Sequence, residues 1–328
     1  MTMAEQAVPA ASGTAVGTGP APGSVELPAG RLHPIRLTVA DYVRLTKPRI
    51  ISLLLVTAVC GLYAGAAGGV RWTVLLAVCG GGYLASGGAN AMNCALDADL
   101  DRLMHRTRNR PVPSGRISPR TAVGYGLALN AAAAAWFAAA ANLLAAGLAL
   151  AGSAWYVLIY TRWLKRRSPE NIVIGGAAGC FPVTVGWAAA TGRLDGTALA
   201  LAAVVFCWTP PHFWSLAALL RADYGRARVP MLPVVAPAAR YAPRMLRYAF
   251  ATLAVSLLPG LWGGLGIGYL VVAALSGGRL CQLTAAYRAH PDSRSARRLF
   301  GFSLVYLAIV FLAAALDRVT GTPVLHLW

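Results

Sequence analysis

Acidic residues are scarce in this chain, and its cysteines and N-terminal segment lack the patterns of several common protein classes. Only 11 of 328 residues are Asp or Glu, against 29 Lys and Arg. The six cysteines form no C-x-x-C pair, so neither a zinc site nor a disulfide framework is indicated. The first 30 residues contain no Lys or Arg, which excludes a signal peptide or a transit peptide there. We predict a disordered tail over residues 1–38.

Apolar residues dominate the remainder of the chain. The chain is 57% hydrophobic with a mean hydropathy of +0.58, which is typical of a polytopic membrane protein. A run of about 20 apolar residues spans a bilayer as a helix, so we split the block 121–160 at Asn142 and the block 246–284 at Pro259. The sequence therefore predicts an all-α membrane domain over residues 39–318, followed by a short tail, 319–328. The nine predicted transmembrane helices are 50–69, 73–93, 121–139, 142–160, 171–190, 197–219, 246–262, 264–284 and 299–316.

The basic residues follow the predicted loops. With the N-terminus in the cytoplasm, 26 of the 29 Lys and Arg residues lie inside, and only Arg71, Arg193 and Arg318 lie outside. This asymmetry supports a multi-pass protein of the cell membrane with its N-terminus cytoplasmic and its C-terminus outside. It also explains the formal net charge of +18 without a nucleic-acid partner.

The stretch NCALDADLDRLMHRTRNRP, which begins at Asn93, organises the chain. Asn93, Asp97 and Asp101 are four residues apart, so on a helix their oxygen-bearing side chains form one stripe. Hard oxygen ligands in such a stripe suit Mg²⁺ shared with substrate phosphates. An ordinary helix end with charged flanks is the alternative, but three of the eleven acidic residues fall within positions 97–101. Asp99 lies about 200° around the helix from Asp97, so we expect it to pair with Arg102 or Arg106 rather than bind the same ion.

Basic residues near this stripe predict a binding site for a diphosphate. A metal ion and a group of cationic side chains together neutralise such a leaving group. The candidates that the sequence offers are Lys47, Arg106, Arg110 and Lys165. The aromatic faces of Tyr160, Trp208 and Phe213 are candidates to stabilise positive charge left on a substrate when diphosphate departs, provided that water is excluded.

A second group of polar residues lies in and after the sixth predicted span. The stretch WTPPHFW, residues 208–214, has two prolines that free backbone carbonyls, which is tolerated beside a cavity. His212 follows them and is a candidate functional residue, although a neutral histidine bonded to a nearby carbonyl is the structural alternative. Asp223 lies in the following basic loop beside Arg221, either as part of the site or as a solvated counter-charge.

Five motifs together resemble the UbiA-type intramembrane prenyltransferases. They are LTKPRI, NCALDADLDRLMHRTRNRP, YTRWLKRRSPENIVIGG, WTPPHFW and DYGRARVPMLPVV, and the resemblance extends from Asp41 to about Arg318. The acidic motif marks the superfamily, whereas WTPPHFW with VPMLPVV points to its haem-modifying branch. The chain departs from the family at two places. Cys94 stands where many relatives carry an acidic residue, and Asp223 lacks the second aspartate found in quinone-type relatives.

The resemblance implies nine helices around a central cavity that opens to the cytoplasmic side and sideways to lipid. It implies Mg²⁺-dependent transfer of a farnesyl group from farnesyl diphosphate to a vinyl group of haem B, with hydration, giving haem O. A downstream haem-modifying enzyme is an expected partner, along with the lipid bilayer. The catalytic residues expected are Asn93, Asp97, Asp101 and Asp223, of which the first three bind the metal. The diphosphate-binding residues expected are Lys47, Arg106, Arg110, Tyr160, Lys165 and Arg221. We hypothesise that His212, with Trp208 and Phe213, positions the haem, since imidazole is a common axial ligand of haem iron.

Two other functions are compatible with parts of this pattern. A UbiA-type enzyme that acts on a quinone precursor would share the diphosphate chemistry and would not need His212. A secondary transporter for an anionic substrate would show internal repeats and broken helices near the midplane. The sequence shows no clear repeat, and its acidic stripe lies at a membrane edge.

Overall fold

The structure is a computed structural model that describes residues 38–66, 69–321 and 323–324. Within these ranges the chain forms helices and no strand. The predicted disordered tail, residues 1–38, lies outside the described residues except for Thr38. The predicted C-terminal tail, 319–328, is described in part, and the last helix extends into it as far as Thr320.

Thirteen helices follow one another in the described part of the chain. Three of them contain a segment that is not α-helical. Helix α3 is π-helical over Ala77–Gly81, α6 is π-helical over Trp155–Leu164, and α7 is 3₁₀-helical over Gly176–Cys180. The helices are α1 Val39–Thr46, α2 Pro48–Gly65, α3 Trp72–Leu96, α4 Ala98–Leu103, α5 Pro119–Ala140, α6 Leu143–Leu164, α7 Asn171–Thr191, α8 Gly196–Leu219, α9 Arg221–Arg226, α10 Leu232–Val235, α11 Ala238–Leu261, α12 Ile267–Ala289 and α13 Ser293–Thr320.

Eight of these helices are long and apolar enough to cross a membrane, counted over the described residues: α2, α3, α5, α6, α7, α8, α12 and α13. The seventh predicted span, 246–262, falls in α11, which has 24 residues and packs against α8 and α12. Its N-terminal half carries Arg240, Arg244 and Arg247, which lower its hydropathy. The all-helical membrane fold is therefore confirmed, whereas the count of nine spans is not.

Local sequence signals explain where the long apolar blocks break. Asn142 precedes α6, and its side-chain oxygen accepts a hydrogen bond from the backbone N–H of Ala145 at 2.9 Å. This N-cap satisfies a donor that the helix start leaves free, and it confirms the predicted split at Asn142. The second break lies at residues 262–266, just after the predicted turn at Pro259 and Gly260, because α11 continues through both residues to Leu261.

Helices α2 and α7 approach each other closely because small residues lie between them. A Cβ atom on Gly186 would lie 1.9 Å from the carbonyl oxygen of Ala58, and one on Gly61 would lie 2.6 Å from that of Val183. Small residues at such a crossing let two membrane helices pack backbone to backbone. This contact fixes one wall of the cavity described next.

An apolar cavity of about 350 Å³ lies between α2, α3, α6, α7 and α8. Each of these helices contributes side chains or backbone to its lining, for example Leu54, Ala89, Tyr156, Gly175 and His212. Tyr160, Trp208 and Phe213, which the sequence singled out, also line it. The fold therefore brings the aromatic residues of two sequence motifs to a single cavity.

Candidate active site

Helix α3 ends at the acidic motif. The backbone of Asp97 departs from helical geometry, with φ −97° and ψ 7°, and α4 begins at the next residue. The four-residue register nevertheless persists across this turn. The N–H of Asp97 donates to the carbonyl of Asn93 at 2.9 Å, and the N–H of Asp101 donates to that of Asp97 at 2.8 Å. The stripe is thus maintained although the helix is not continuous.

The Asn93 amide is oriented by three partners. Its Nδ2 donates to Asp97 Oδ2 at 2.7 Å and to Thr161 Oγ1 at 3.1 Å. Thr161 in turn donates to the carbonyl of Tyr156 at 2.8 Å, which leaves its oxygen free to accept from Asn93. On the other side, Lys47 Nζ donates to Asn93 Oδ1 at 2.6 Å. The amide oxygen therefore faces a cationic group.

Two carboxylates and three cations meet in this cluster. Lys165 Nζ lies 2.5 Å from Asp97 Oδ2, and Arg110 Nη1 lies 2.8 Å from Asp101 Oδ2. With Lys47 the cluster carries one more positive than negative charge. Asp97 Oδ1 is buried and has no hydrogen-bond partner among the described residues. A buried carboxylate oxygen without a partner is costly, so this atom marks a place for a ligand.

Lys47 reaches the cluster from a backbone conformation that is rare for its residue type. Its φ of 57° and ψ of 62° lie in the left-handed region, where a residue with a Cβ costs about 1–2 kcal/mol. The preceding residue is held by two bonds: Asn90 Nδ2 donates to the carbonyl of Thr46 at 3.0 Å, and the Thr46 and Tyr83 hydroxyls lie 2.8 Å apart. Burial lowers the pKa of the Lys47 ammonium, and the nearby Arg110 and Lys165 lower it further.

Asp99 lies apart from the cluster, as its helical position predicts, but its partner differs from the one expected. Its carboxylate is 63% exposed and accepts two hydrogen bonds of 2.7 Å from Arg166, which follows α6. This hydrogen bonding lowers the pKa of Asp99. The prediction of Arg102 or Arg106 was wrong, because Arg102 donates to the carbonyl of Pro113 instead.

Three predicted site residues are not brought to the cluster. Arg106 and Arg221 are exposed, and neither side chain forms a hydrogen bond or an ion pair with a described residue. Asp223 forms an ion pair with Arg226 on its own helix, α9. The cationic residues that contact the acidic stripe are therefore Lys47, Arg110 and Lys165, and the structure gives no such contact to Arg106, Arg221 or Asp223.

Aromatic residues of α8 and α13 surround His212 in the cavity wall. The ring centroids of Trp208 and His212 are 4.2 Å apart at an interplanar angle of 17°, and Phe300 stacks on the imidazole at 4.9 Å. Phe213 meets it edge-on at 6.0 Å. His212 Nδ1 lies 2.8 Å from Ser303 Oγ on α13. The three predicted haem-binding residues thus lie together at the cavity.

Tyr156 and Tyr160 connect the cavity to the cluster. Their rings stack at 5.6 Å on the π-helical part of α6, which also carries Thr161. π-Helical turns are frequent at functional sites because they redirect a few side chains. Sequence reasoning identified Tyr160 but missed Tyr156 and Thr161, since apolar periodicity gives no signal for a π-helical turn. It also missed Phe300 and Ser303, which lie on a helix far along the chain.

The residues of the acidic stripe fit a magnesium ion only with the Asn93 amide included. Over the described residues, no group of three or more His, Cys, Asp and Glu side chains could hold a metal ion. Asn93, Asp97 and Asp101 are all buried, and Asn93 lies beside Asp97, but its Nδ2 faces that carboxylate while its oxygen accepts from Lys47, so the amide would have to turn to offer its oxygen to an ion. Carboxylate and amide oxygens are the ligands that Mg²⁺ accepts, and the unpartnered Asp97 Oδ1 is a free ligand atom.

Comparison with known families agrees with this geometry. Residues 54–315 match the UbiA prenyltransferase family. The chain belongs to this family. The match covers the acidic stripe, the cavity helices and the WTPPHFW stretch, so the resemblance inferred from the motifs is confirmed.

Curated relatives of this UbiA chain are similar over most of its length. It is 48% identical over 279 residues to the protoheme IX farnesyltransferase of Roseiflexus sp. (strain RS-1), which covers 85% of this chain and 52% of that one. It is 45% identical over 295 residues to protoheme IX farnesyltransferase 1 of Saccharopolyspora erythraea, covering 88% of this chain and 93% of that one. The chain therefore spans about half the length of the Roseiflexus relative and nearly all of the Saccharopolyspora one.

Solved UbiA structures share the fold at low sequence identity. A membrane digeranylgeranylglyceryl phosphate synthase superposes with a TM-score of 0.72 at 17% identity, over 86% of this chain and 98% of that one. A UbiA homologue from Archaeoglobus fulgidus bound to GPP and Mg²⁺ superposes with a TM-score of 0.60 at 17% identity, over 84% of this chain and 99% of that one. These likenesses establish the fold of a multi-pass membrane protein.

Proposed function

We propose that this protein transfers a farnesyl group from farnesyl diphosphate to a vinyl group of haem B and yields haem O. The observation that carries the proposal is the pairing of two features in one fold. Carboxylates and cationic side chains form a cluster around Asn93 and Asp97. An apolar cavity with a histidine in its wall begins at Asn90, one helical turn away. The names of the curated relatives support the same reaction.

The cluster is suited to bind a diphosphate together with Mg²⁺. Asn93, Asp97 and Asp101 would hold the ion, which when bound supplies Lewis-acid neutralisation of the diphosphate charge. The cluster has three cationic side chains and two carboxylates, which leaves one positive charge in excess. The cations, Lys47, Lys165 and Arg110, are therefore suited to hold the diphosphate oxygens. The magnesium-bound UbiA homologue of Archaeoglobus fulgidus supports a metal in this family.

The proposed reaction divides between the two parts of the site. The bond between farnesyl C1 and the diphosphate oxygen breaks, and its electron pair leaves with the diphosphate. The terminal vinyl carbon of haem B bonds to C1, water adds a hydroxyl group to the neighbouring carbon, and one proton is released. The stacked rings of Tyr156 and Tyr160 line the cavity, and Tyr156 is linked to Asn93 through Thr161, so their faces can stabilise positive charge on the farnesyl chain.

His212 is proposed to hold the acceptor. Its imidazole lines the cavity between Trp208 and Phe300, and a flat macrocycle packs well against such aromatic surfaces. Imidazole is also a common axial ligand of haem iron. The farnesyl chain would then occupy the apolar part of the cavity near Leu54 and Ala89.

The membrane orientation completes the proposal. The distribution of basic residues supports a cytoplasmic N-terminus and an external C-terminus in the cell membrane. The acidic cluster then faces the cytoplasm, where farnesyl diphosphate is water-accessible, and the cavity lies within the lipid bilayer. A product that is a modified haem fits delivery to a downstream haem-modifying enzyme.

The test is a reconstituted reaction with purified full-length protein in detergent. Farnesyl diphosphate, haem B and Mg²⁺ should yield diphosphate and a more hydrophobic haem whose mass has increased by one farnesyl group and one hydroxyl group. A transporter would release no diphosphate. Release that requires a quinone precursor and yields no modified haem would assign the chain to a different acceptor within the UbiA family.

A further inference from the structure

The imidazole of His212 is held in one orientation by residues from two helices. Trp208 stacks on one face at 4.2 Å, and Phe300 stacks on the ring at 4.9 Å. Ser303 meets its Nδ1 atom at 2.8 Å and is itself fully buried. The Trp208 indole N–H also donates to the backbone carbonyl of Ser303 at 2.7 Å, which ties the two helices together at this point. The ring therefore has little freedom to rotate.

Counting protons at Ser303 identifies the tautomer of the imidazole. The Ser303 hydroxyl has one proton, and its oxygen lies 2.6 Å from the carbonyl oxygen of Phe300. A carbonyl oxygen can only accept, so this proton is donated to Phe300. Ser303 Oγ must then accept at its other short contact, which is with His212 Nδ1. Nδ1 therefore carries the ring proton.

The second ring nitrogen, Nε2, then carries a lone pair. No described carboxylate forms an ion pair with His212, and an unpaired charge buried among aromatic rings is costly, so the imidazole is neutral. Nε2 forms no hydrogen bond with any described residue, and the ring lines the cavity. An unprotonated nitrogen is thus available to a molecule bound there.

We propose that Ser303 is a positioning residue for the acceptor: by accepting the Nδ1 proton of His212, it keeps Nε2 unprotonated and directed to the iron of the bound haem. The inference rests on the proposed function, because it requires that haem binds in the cavity. The iron of haem commonly binds an imidazole nitrogen through its lone pair. Hydrogen bonding at one imidazole nitrogen commonly fixes the tautomer and orientation of a histidine that binds metal through the other.

The experiment measures haem B binding by visible spectroscopy in purified full-length protein without farnesyl diphosphate. The wild type is expected to give the spectrum of a histidine-ligated haem, and His212→Ala to lose it. Ser303→Ala should bind haem about 10- to 100-fold more weakly with a shifted spectrum, which is the usual effect of removing such a partner. Ser276→Ala is the matched control, because Ser276 is a buried serine that donates to its own helix on α12 and does not line the cavity.

A second pair of variants keeps the test decisive if Ser303→Ala does not fold. Ser303→Thr and Ser303→Val have nearly the same shape and differ in the hydroxyl, so the threonine variant should bind haem more tightly than the valine variant. Wild-type haem affinity and spectrum in Ser303→Ala, or equal binding by the threonine and valine variants, would overturn the inference. Unchanged binding in His212→Ala would overturn it too. The proposed function is judged separately, by whether the wild type forms farnesylated haem.

Discussion

Lys165 Nζ lies 2.5 Å from Asp97 Oδ2, across 68 residues of sequence, while Asp97 Oδ1 has no partner among the described residues. The Lys165 ammonium group thus lies beside the Asp97 carboxylate. A metal ion and a diphosphate would bind at the same place. One carboxylate oxygen is thus paired with a protein cation, and the other remains for a ligand. This arrangement underlies the first prediction.

Asp97→Asn should reduce transfer by about 10²- to 10³-fold, the usual effect of removing one preorganised charge from a reaction site. The neutral amide cannot provide the carboxylate charge that the ion and Lys165 both require. The measurement is the rate of diphosphate release at saturating Mg²⁺, with thermal unfolding in detergent to verify that the variant folds. Asp99→Asn is the control, because Asp99 is exposed and its ion pair with Arg166 is worth about 0–1 kcal/mol. Equal loss in both variants would contradict the assignment of Asp97.

Two substitutions at Lys47 should separate its side chain from its backbone. Either glycine or alanine should lower kcat/KM for farnesyl diphosphate by about 10- to 100-fold, since a hydrogen bond to a charged group contributes about 1.5–3 kcal/mol. Glycine adopts the left-handed φ of 57° without strain, so Lys47→Gly should unfold at a higher temperature than Lys47→Ala. Arg49→Ala, at an exposed position two residues on, should leave kcat/KM unchanged. A normal kcat/KM in both Lys47 variants would exclude a role in diphosphate binding.

Gly175→Ala should impair transfer while leaving the protein folded. An added Cβ would lie 2.4 Å from Cδ2 of Tyr160, so the tyrosine ring must move away from its position in the cavity lining. Displacement of about 1 Å at a reacting centre can cost about 100-fold in rate. The rate of farnesyl transfer under single-turnover conditions measures this effect. Activity at the wild-type level would indicate that Tyr160 does not need its present position.

Gly186→Ala should destabilise the fold itself. The new Cβ would lie 1.9 Å from the Ala58 carbonyl oxygen, which is a rigid backbone atom, so α2 and α7 must separate. Overpacking of this kind typically costs about 1–3 kcal/mol or more. Gly147→Ala is the matched control on α6, where nothing lies within 4 Å of the new Cβ, and it should stabilise by about 0.4–1 kcal/mol. Thermal unfolding in detergent should move in opposite directions for the two variants.

Reporter fusions should place the C-terminus and the loop that follows α6 on opposite sides of the membrane. A reporter fused after Trp328 should be active only outside the cytoplasm, whereas one inserted after Arg167, in the loop that follows α6, should be active only inside. The basis is the inside location of 26 of the 29 basic residues. Cytoplasmic activity of the C-terminal fusion would reverse the orientation, or would require an even number of spans. This test also bears on whether α11 crosses the membrane, since the eight helices counted by length and composition exclude it.

The sequence by itself determined the fold class and the acidic stripe, because these depend on short-range properties. Apolar run length decides which segments can span a bilayer, and the spacing of Asn93, Asp97 and Asp101 keeps them on one helical face whatever the rest of the chain does. Asn142 and its N-cap are likewise a local signal. The count of spans depends also on α11, whose three arginines near its start lower its apolar character.

Only the tertiary structure decided which distant groups meet these residues. Many arginines share one membrane face, and charge alone does not distinguish Arg110, which contacts Asp101, from Arg106, which is exposed. Lys47 reaches Asn93 through a left-handed turn, and Ser303 meets His212 across 91 residues. Such contacts depend on how the helices pack and on where their backbone departs from α-helical geometry. The periodicity of side chains along one segment does not encode either property.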